Sequence, residues 1–114
     1  MNAAPRSTAR ATAHRAEYEF AEHFVTVDDH GHAARKLSAA LDVVAPSPGV
    51  ASLLTLLARL VGAKAAVEIG TGAGVSGLAI IDGLTADGIL TSIDSEPEHQ
   101  QAARTVFEGA GIPH

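Results

Sequence analysis

Apolar and polar positions change rhythm along this chain. From Pro48 to Val61 large apolar residues return at helical spacing, placing Val50, Leu53, Leu54, Leu57, Leu60 and Val61 on one stripe. From Ala65 to Ile69, and again from Ile89 to Ile93, they condense into short apolar runs of strand length. Between the runs, Leu78-Ala79-Ile80-Ile81 continues a helix predicted over Val75 to Leu84. Polar punctuation marks the boundaries. Ser47 caps the helix that Pro48 begins, and Gly62 ends it. Pro46 and Pro48 keep residues 43–48 a loop. Upstream, Ala13 to Phe24 reads as a first helix anchored by Tyr18, Phe20 and Phe24. Asp28 or Asp29 caps a second helix that runs to about Leu41. Downstream, Asp87-Gly88 is a turn, and Ser95 with Glu98 forms a capping box for a helix reaching Glu108. Gly109, Gly111 and Pro113 close it. The predicted order is three helices, then β-α-β-α with a right-handed crossover. This is an α/β chain, the N-terminal portion of a Rossmann-like sheet.

Composition narrows the classes. With 114 residues the chain holds one domain at most. It has no cysteine, hence no disulfide framework and no thiolate zinc site. A net charge of −5 argues against a nucleic-acid or anionic-membrane surface. Three Phe and one Tyr are too few for base-stacking platforms. No apolar run is long enough to span a bilayer. Residues 1–12 are rich in Ala, Arg and Ser and are expected to be a disordered tail, with a targeting leader as the alternative. No secretory apolar segment is visible, so a cytoplasmic location is expected. His14, His23, His99 and His114 are expected at the surface. Asp28, Asp29, His30 and His32 read as a solvated helix start rather than a metal site.

The chemistry concentrates after the first strand. Gly70-Thr71-Gly72-Ala73-Gly74-Val75-Ser76-Gly77 places four glycines in eight residues, between a strand and a helix. Glycine is needed where the turn takes positive φ or a ligand approaches the backbone. The helix start offers free N–H groups to an anionic or hydrogen-bonding ligand. Asp94, the first residue past the second strand, follows Gly70 by 24 residues. An acid there accepts hydrogen bonds from two ribose hydroxyls, or it serves as a helix-capping acid. Glu68 on the first strand either accepts from loop N–H groups or organises the end of an amino-acid moiety. Ser76 either bonds a ligand carboxylate or is an ordinary first-turn serine. Gly72-x-Gly74-x-x-Gly77 also fits the dinucleotide spacing, which keeps a nicotinamide oxidoreductase as an alternative. The long helical lead-in and Glu68 count against it. A third alternative is a non-catalytic fragment that dimerises through residues 13–61.

Glu68-Ile69-Gly70-Thr71-x-x-Gly74-x-Ser76, followed by Ile93-Asp94-x-x-Pro97-Glu98, resembles the S-adenosylmethionine-dependent O-methyltransferases of the catechol and caffeoyl-CoA type. The resemblance covers residues 13–114. It implies a cofactor site in which Gly70 and Thr71, in a turn with Gly72 and Gly74, line the methionine part. Ser76 would bond its carboxylate, Glu68 would lie beneath the methionine and ribose, and Asp94 would hold the ribose. Pro46 would touch the cofactor from its loop, through its ring or carbonyl, since proline has no N–H. The resemblance further implies methyl transfer to a small-molecule hydroxyl. Metal ligands, magnesium and the catalytic base belong to the later part of longer relatives. No catalytic or metal-binding residue is therefore assigned here. The expectation is a truncated, inactive fragment of a protein that is a homodimer when complete. Its two strands would be interior strands of a larger sheet.

Overall fold

The computed structural model describes residues 6–113. The elements are α1 (Arg6–Phe24), α2 (Asp29–Ala40), α3 (Pro48–Leu60), β1 (Ala65–Ile69), α4 (Val75–Gly83), β2 (Ile89–Ile93) and α5 (Pro97–Gly109). The order is the one expected, and both strands match their predicted bounds. The N-terminal helix corrects the expected tail. It starts at Arg6, so residues 6–12 are helical, while residues 1–5 lie outside the described part. The local reason is helix-forming composition: Ala9, Ala11 and Ala13 favour the helix, and an Arg15–Glu19 pair at 2.9 Å spans one turn.

The aromatic residues of α1 do not anchor it: Tyr18, Phe20 and Phe24 are exposed. A carboxylate links α1 to α3 instead. Glu22 accepts from Ser47 Oγ at 2.9 Å and from Gly49 N at 2.7 Å, which places an acid at the amino end of α3. A methyl group at Gly49 would lie 2.6 Å from Glu22 Oε1, so a larger residue there would push the Glu22 carboxylate aside. Ser47 caps α3 as expected, accepting from Val50 N at 3.3 Å. Asp28 likewise caps α2, accepting from Gly31 N at 2.7 Å.

The apolar stripe read on α3 is not its packing face. Val50, Leu53, Leu57, Leu60 and Val61 are exposed. The half-buried face is Ala51, Leu54, Thr55 and Ala58, which lies against α4. Small residues win because they let the two helices meet closely, with Gly83 of α4 against Thr55 and Ala58. Thr55 Oγ1 also donates to Ala79 O at 2.7 Å across the contact.

β1 and β2 pair in parallel, with Glu68 opposite Ser92 and Ile69 opposite Ile93. Successive side chains alternate between faces. Ala66, Glu68, Leu90 and Ser92 point towards the helices; Val67, Ile69, Ile89 and Ile93 point away and are exposed. Ile69 is 87% exposed. The core lies between helices: Ala34 of α2, Val75 of α4, and Ala103, Val106 and Phe107 of α5. The capping box expected at Ser95 is replaced. Pro97 occupies the first turn of α5, so Glu96 becomes the cap, and Ser95 Oγ merely donates to Glu96 Oε1 at 3.4 Å.

Candidate cofactor site

β1 delivers the chain into a turn that needs glycine at three points, with φ of 95° at Gly70, 51° at Gly72 and 89° at Gly74. The turn crosses to β2 through two backbone donors. Gly70 N donates to Ile93 O at 2.7 Å, and Gly72 N donates to Asp94 Oδ2 at 3.0 Å. The two features singled out in the sequence therefore meet directly. They share a cavity of about 340 Å³ whose lining includes Pro46, Gly70, Thr71, Gly72, Ser76 and Asp94. Gly74 is not in that lining. Its Cα faces Ala103 and Phe107, and Gly77 also faces Phe107, so the last two glycines of the dinucleotide-like spacing serve helix packing.

Asp94 is held from three sides. Glu96 N donates to Oδ1 at 2.9 Å, Gly72 N donates to Oδ2, and His99 Nδ1 lies 3.3 Å from Oδ2. The amides of Glu96 and Gly72 hold this carboxyl below its ordinary value of 3.8, burial opposes them, and His99 adds to the lowering. An ionised carboxylate only accepts, so the His99 Nδ1 must carry the proton in this contact. His99 was expected at the surface; its side chain is only 23% exposed and lines the cavity. Five residues after Asp94, it reaches back because α5 turns over the carboxylate. Gln100 Nε2 supports the same corner, donating to Asp94 O at 3.1 Å.

Glu68 is 8% exposed and does not line the cavity itself, but it bonds Ser76, which does. Its partners are hydroxyls, not the loop N–H groups considered from sequence. Ser76 Oγ donates to Oε1, and Ser92 Oγ donates to Oε2 at 2.6 Å. Thr71 Oγ1 bonds Ser92 Oγ at 2.8 Å. Sequence reasoning missed Ser92. Its signal was a serine inside an apolar strand, at the register position opposite Glu68. At Pro46, the carbonyl accepts from Arg35 Nη1 at 2.7 Å, so this loop is tied to α2 and presents mainly the proline ring to the cavity.

A glycine turn after one parallel strand, facing an acid after the next across one cavity, is the arrangement of the Rossmann-like class of folds. The O-methyltransferase family model matches residues 17–114, and the chain belongs to that family. A Mycolicibacterium vanbaalenii relative named as an O-methyltransferase is 49% identical over 105 residues, covering 92% of this chain and 46% of the relative. The O-methyltransferase TomG of Streptomyces achromogenes, solved with S-adenosylmethionine, superposes with a TM-score of 0.77 at 30% identity, covering 86% of this chain and 45% of TomG. A Bacillus cereus O-methyltransferase, solved with S-adenosylhomocysteine, gives 0.76 at 25% identity, covering 86% of this chain and 46% of that protein. The chain thus spans less than half the length of these relatives.

Proposed function

We propose that this chain is the cofactor-binding part of an S-adenosylmethionine-dependent O-methyltransferase that acts on a small-molecule hydroxyl. The observation that carries this is the closure of the glycine turn onto Asp94, Gly72 N to Oδ2, around one cavity. Two family members of known structure hold S-adenosylmethionine or S-adenosylhomocysteine. The residues present fit such a ligand. Asp94 is acceptor-rich and fixed in place. Gly70 leaves open space where a Cβ would stand, and the first amides of α4 lack partners within their own helix.

In this reading Asp94 accepts from the ribose hydroxyls. A carboxylate offers about four acceptor positions, and Gly72, Glu96 and His99 use three. The His99 contact is the longest and yields to a ribose hydroxyl. Gly70, Thr71, Gly72 and Ser76 enclose the amino-acid end, and the Pro46 ring packs against the ligand from its loop. When bound, the cofactor supplies an electrophilic methyl group on a sulfonium. No residue of this chain is assigned as catalytic base or metal ligand; magnesium is proposed only for a longer relative. The reading extends to a cytoplasmic protein, a homodimer when complete, in which this part alone does not turn over. The nicotinamide alternative and the dimerisation-fragment alternative gain no supporting observation. Titration of S-adenosylhomocysteine into the Asp94 variants tests the site. Asp94→Ala is expected to weaken binding on the order of 10- to 100-fold, and Asp94→Asn less. Unchanged affinity in a folded Asp94→Ala protein would return Asp94 to a capping role.

A further inference from the structure

The cavity shared by Asp94 and the glycine turn has a second wall. Val43, Val44, Ala45 and Pro46, from the stretch between α2 and α3, line it. The two walls are built differently. The turn is knit to the end of β2 by its own backbone, through Gly70 N and Gly72 N. Among the described residues no hydrogen bond joins residues 43–46 to the turn or to Asp94. Val43 N donates back to Ser38 O at 2.9 Å, and Ala45 packs on the core. Beyond that point the stretch is stiff. Pro46 and Pro48 fix their own φ, and each holds the residue before it extended. A stiff segment stays against a ligand only as well as its anchors hold it. Two charged side chains supply them. Arg35 of α2 donates from Nη1 to Pro46 O at 2.7 Å, and Glu22 of α1 accepts from Ser47 Oγ and Gly49 N. Hydrogen bonds to ionised groups are the strong ones. Arg35 makes its bond although its Nε is left buried without a partner, which is unfavourable in itself. Arg35 does not line the cavity, whereas Pro46 does.

We propose that Arg35 is a positioning residue for cofactor retention: through Pro46 O it holds the wall of residues 43–46 against the bound ligand. The inference rests on the cofactor reading above and adds to it a residue of α2 that acts without touching the ligand. Arginine suits the task because its guanidinium stays charged and its donors are fixed in a planar fork. Without the Arg35 bond, the stiff segment pivots on the Glu22 anchor and the Pro46 ring leaves the ligand. The glycine turn and Asp94 keep their places, because their bonds run to β2 and α5. Capture of the ligand therefore changes little, and its escape becomes faster.

Surface plasmon resonance of S-adenosylhomocysteine over the immobilised 114-residue chain separates the two rates. The proteins compared are wild type, Arg35→Ala, Arg35→Lys and Gly83→Ala. Loss of a hydrogen bond to a charged group corresponds to roughly tenfold in an equilibrium constant. Arg35→Ala is expected to speed dissociation by about that factor and to leave association within about twofold. Arg35→Lys should fall between, since the ammonium keeps the charge and loses the fork. Gly83 lies outside the cavity lining, so Gly83→Ala loosens the α3–α4 contact and should release the ligand at the wild-type rate. A folded Arg35→Ala protein with wild-type dissociation would overturn the proposal, and so would equal acceleration in Gly83→Ala, which would reduce Arg35 to a general stabiliser. If Arg35→Ala does not fold, Arg35→Lys decides: dissociation about threefold faster supports the proposal, and the wild-type rate overturns it. Failure of S-adenosylhomocysteine to bind the wild-type chain defeats the cofactor reading itself. Binding by wild type with unaltered rates in the Arg35 variants defeats this inference alone.

Discussion

Gly83→Ala isolates the packing that sets α3 against α4. A methyl group at this position would lie 2.5 Å from Thr55 O, 2.6 Å from Ala58 Cβ and 3.1 Å from Thr55 Cα. Carbon atoms pack best at about 3.5–4.0 Å, so the helices must part by roughly 1 Å. The first obstacle is backbone, which cannot swing aside like the end of a side chain. A separation of that size forfeits about a quarter to a half of each affected contact. Overpacking of this kind costs about 1–3 kcal/mol. Alanine recovers at most about 1 kcal/mol of backbone entropy, and less at the last residue of a helix. The net expectation is a loss of about 1–2 kcal/mol. For a domain of this size that lowers Tm by roughly 5–15 °C. Thermal unfolding followed by circular dichroism measures it. Ala58→Gly combined with Gly83→Ala should recover only part of the loss, because the Thr55 carbonyl remains in the way. A single variant with unchanged or raised Tm would refute the close-approach argument.

Three further outcomes follow from the geometry. Glu22→Ala removes the acceptor shared by Ser47 and Gly49, and should release α1 at a cost of about 1 kcal/mol, seen as faster proteolysis within residues 6–24; unchanged proteolysis would mean that something else holds α1. Asp94 has a lowered pKa in the folded chain, so the stability it contributes is present above the unfolded value of 3.8 and is lost as pH falls through the folded value. The difference in urea midpoint between wild type and Asp94→Asn should therefore be present near about pH 6 and shrink towards about pH 3, and a difference that grows on acidification would contradict the sign. The bare sheet face of Val67, Ile69, Ile89 and Ile93 should make the chain self-associate, with Val67→Lys reducing the effect in light scattering; a monodisperse wild-type monomer would contradict this.

The strands were legible because each is an apolar run bounded by turn residues, and the cap of α3 because Ser47-Pro48 combines two local signals. The stripe of α3 was not. Periodicity shows that Pro48–Leu60 is a helix, but the face is decided by Gly83, more than twenty residues away. The capping box failed through competition: Pro97 suits the first helical position and moved the cap to Glu96. At the site, Asp94 and the glycine turn stood out by spacing alone. The partners of Glu68 needed the β1–β2 register, since only the pairing of Glu68 with Ser92 brings that hydroxyl to the carboxylate. His99 was missed because its contact with Asp94 depends on how α5 leaves β2.

The central claim is that the cavity between the glycine turn and Asp94 receives the methyl-donor cofactor. Isothermal titration of the 114-residue chain with S-adenosylhomocysteine and, separately, with NAD tests it most directly. Saturable binding of S-adenosylhomocysteine at one site per chain, with no heat from NAD, is the predicted result. Saturable NAD binding with no response to S-adenosylhomocysteine would contradict it.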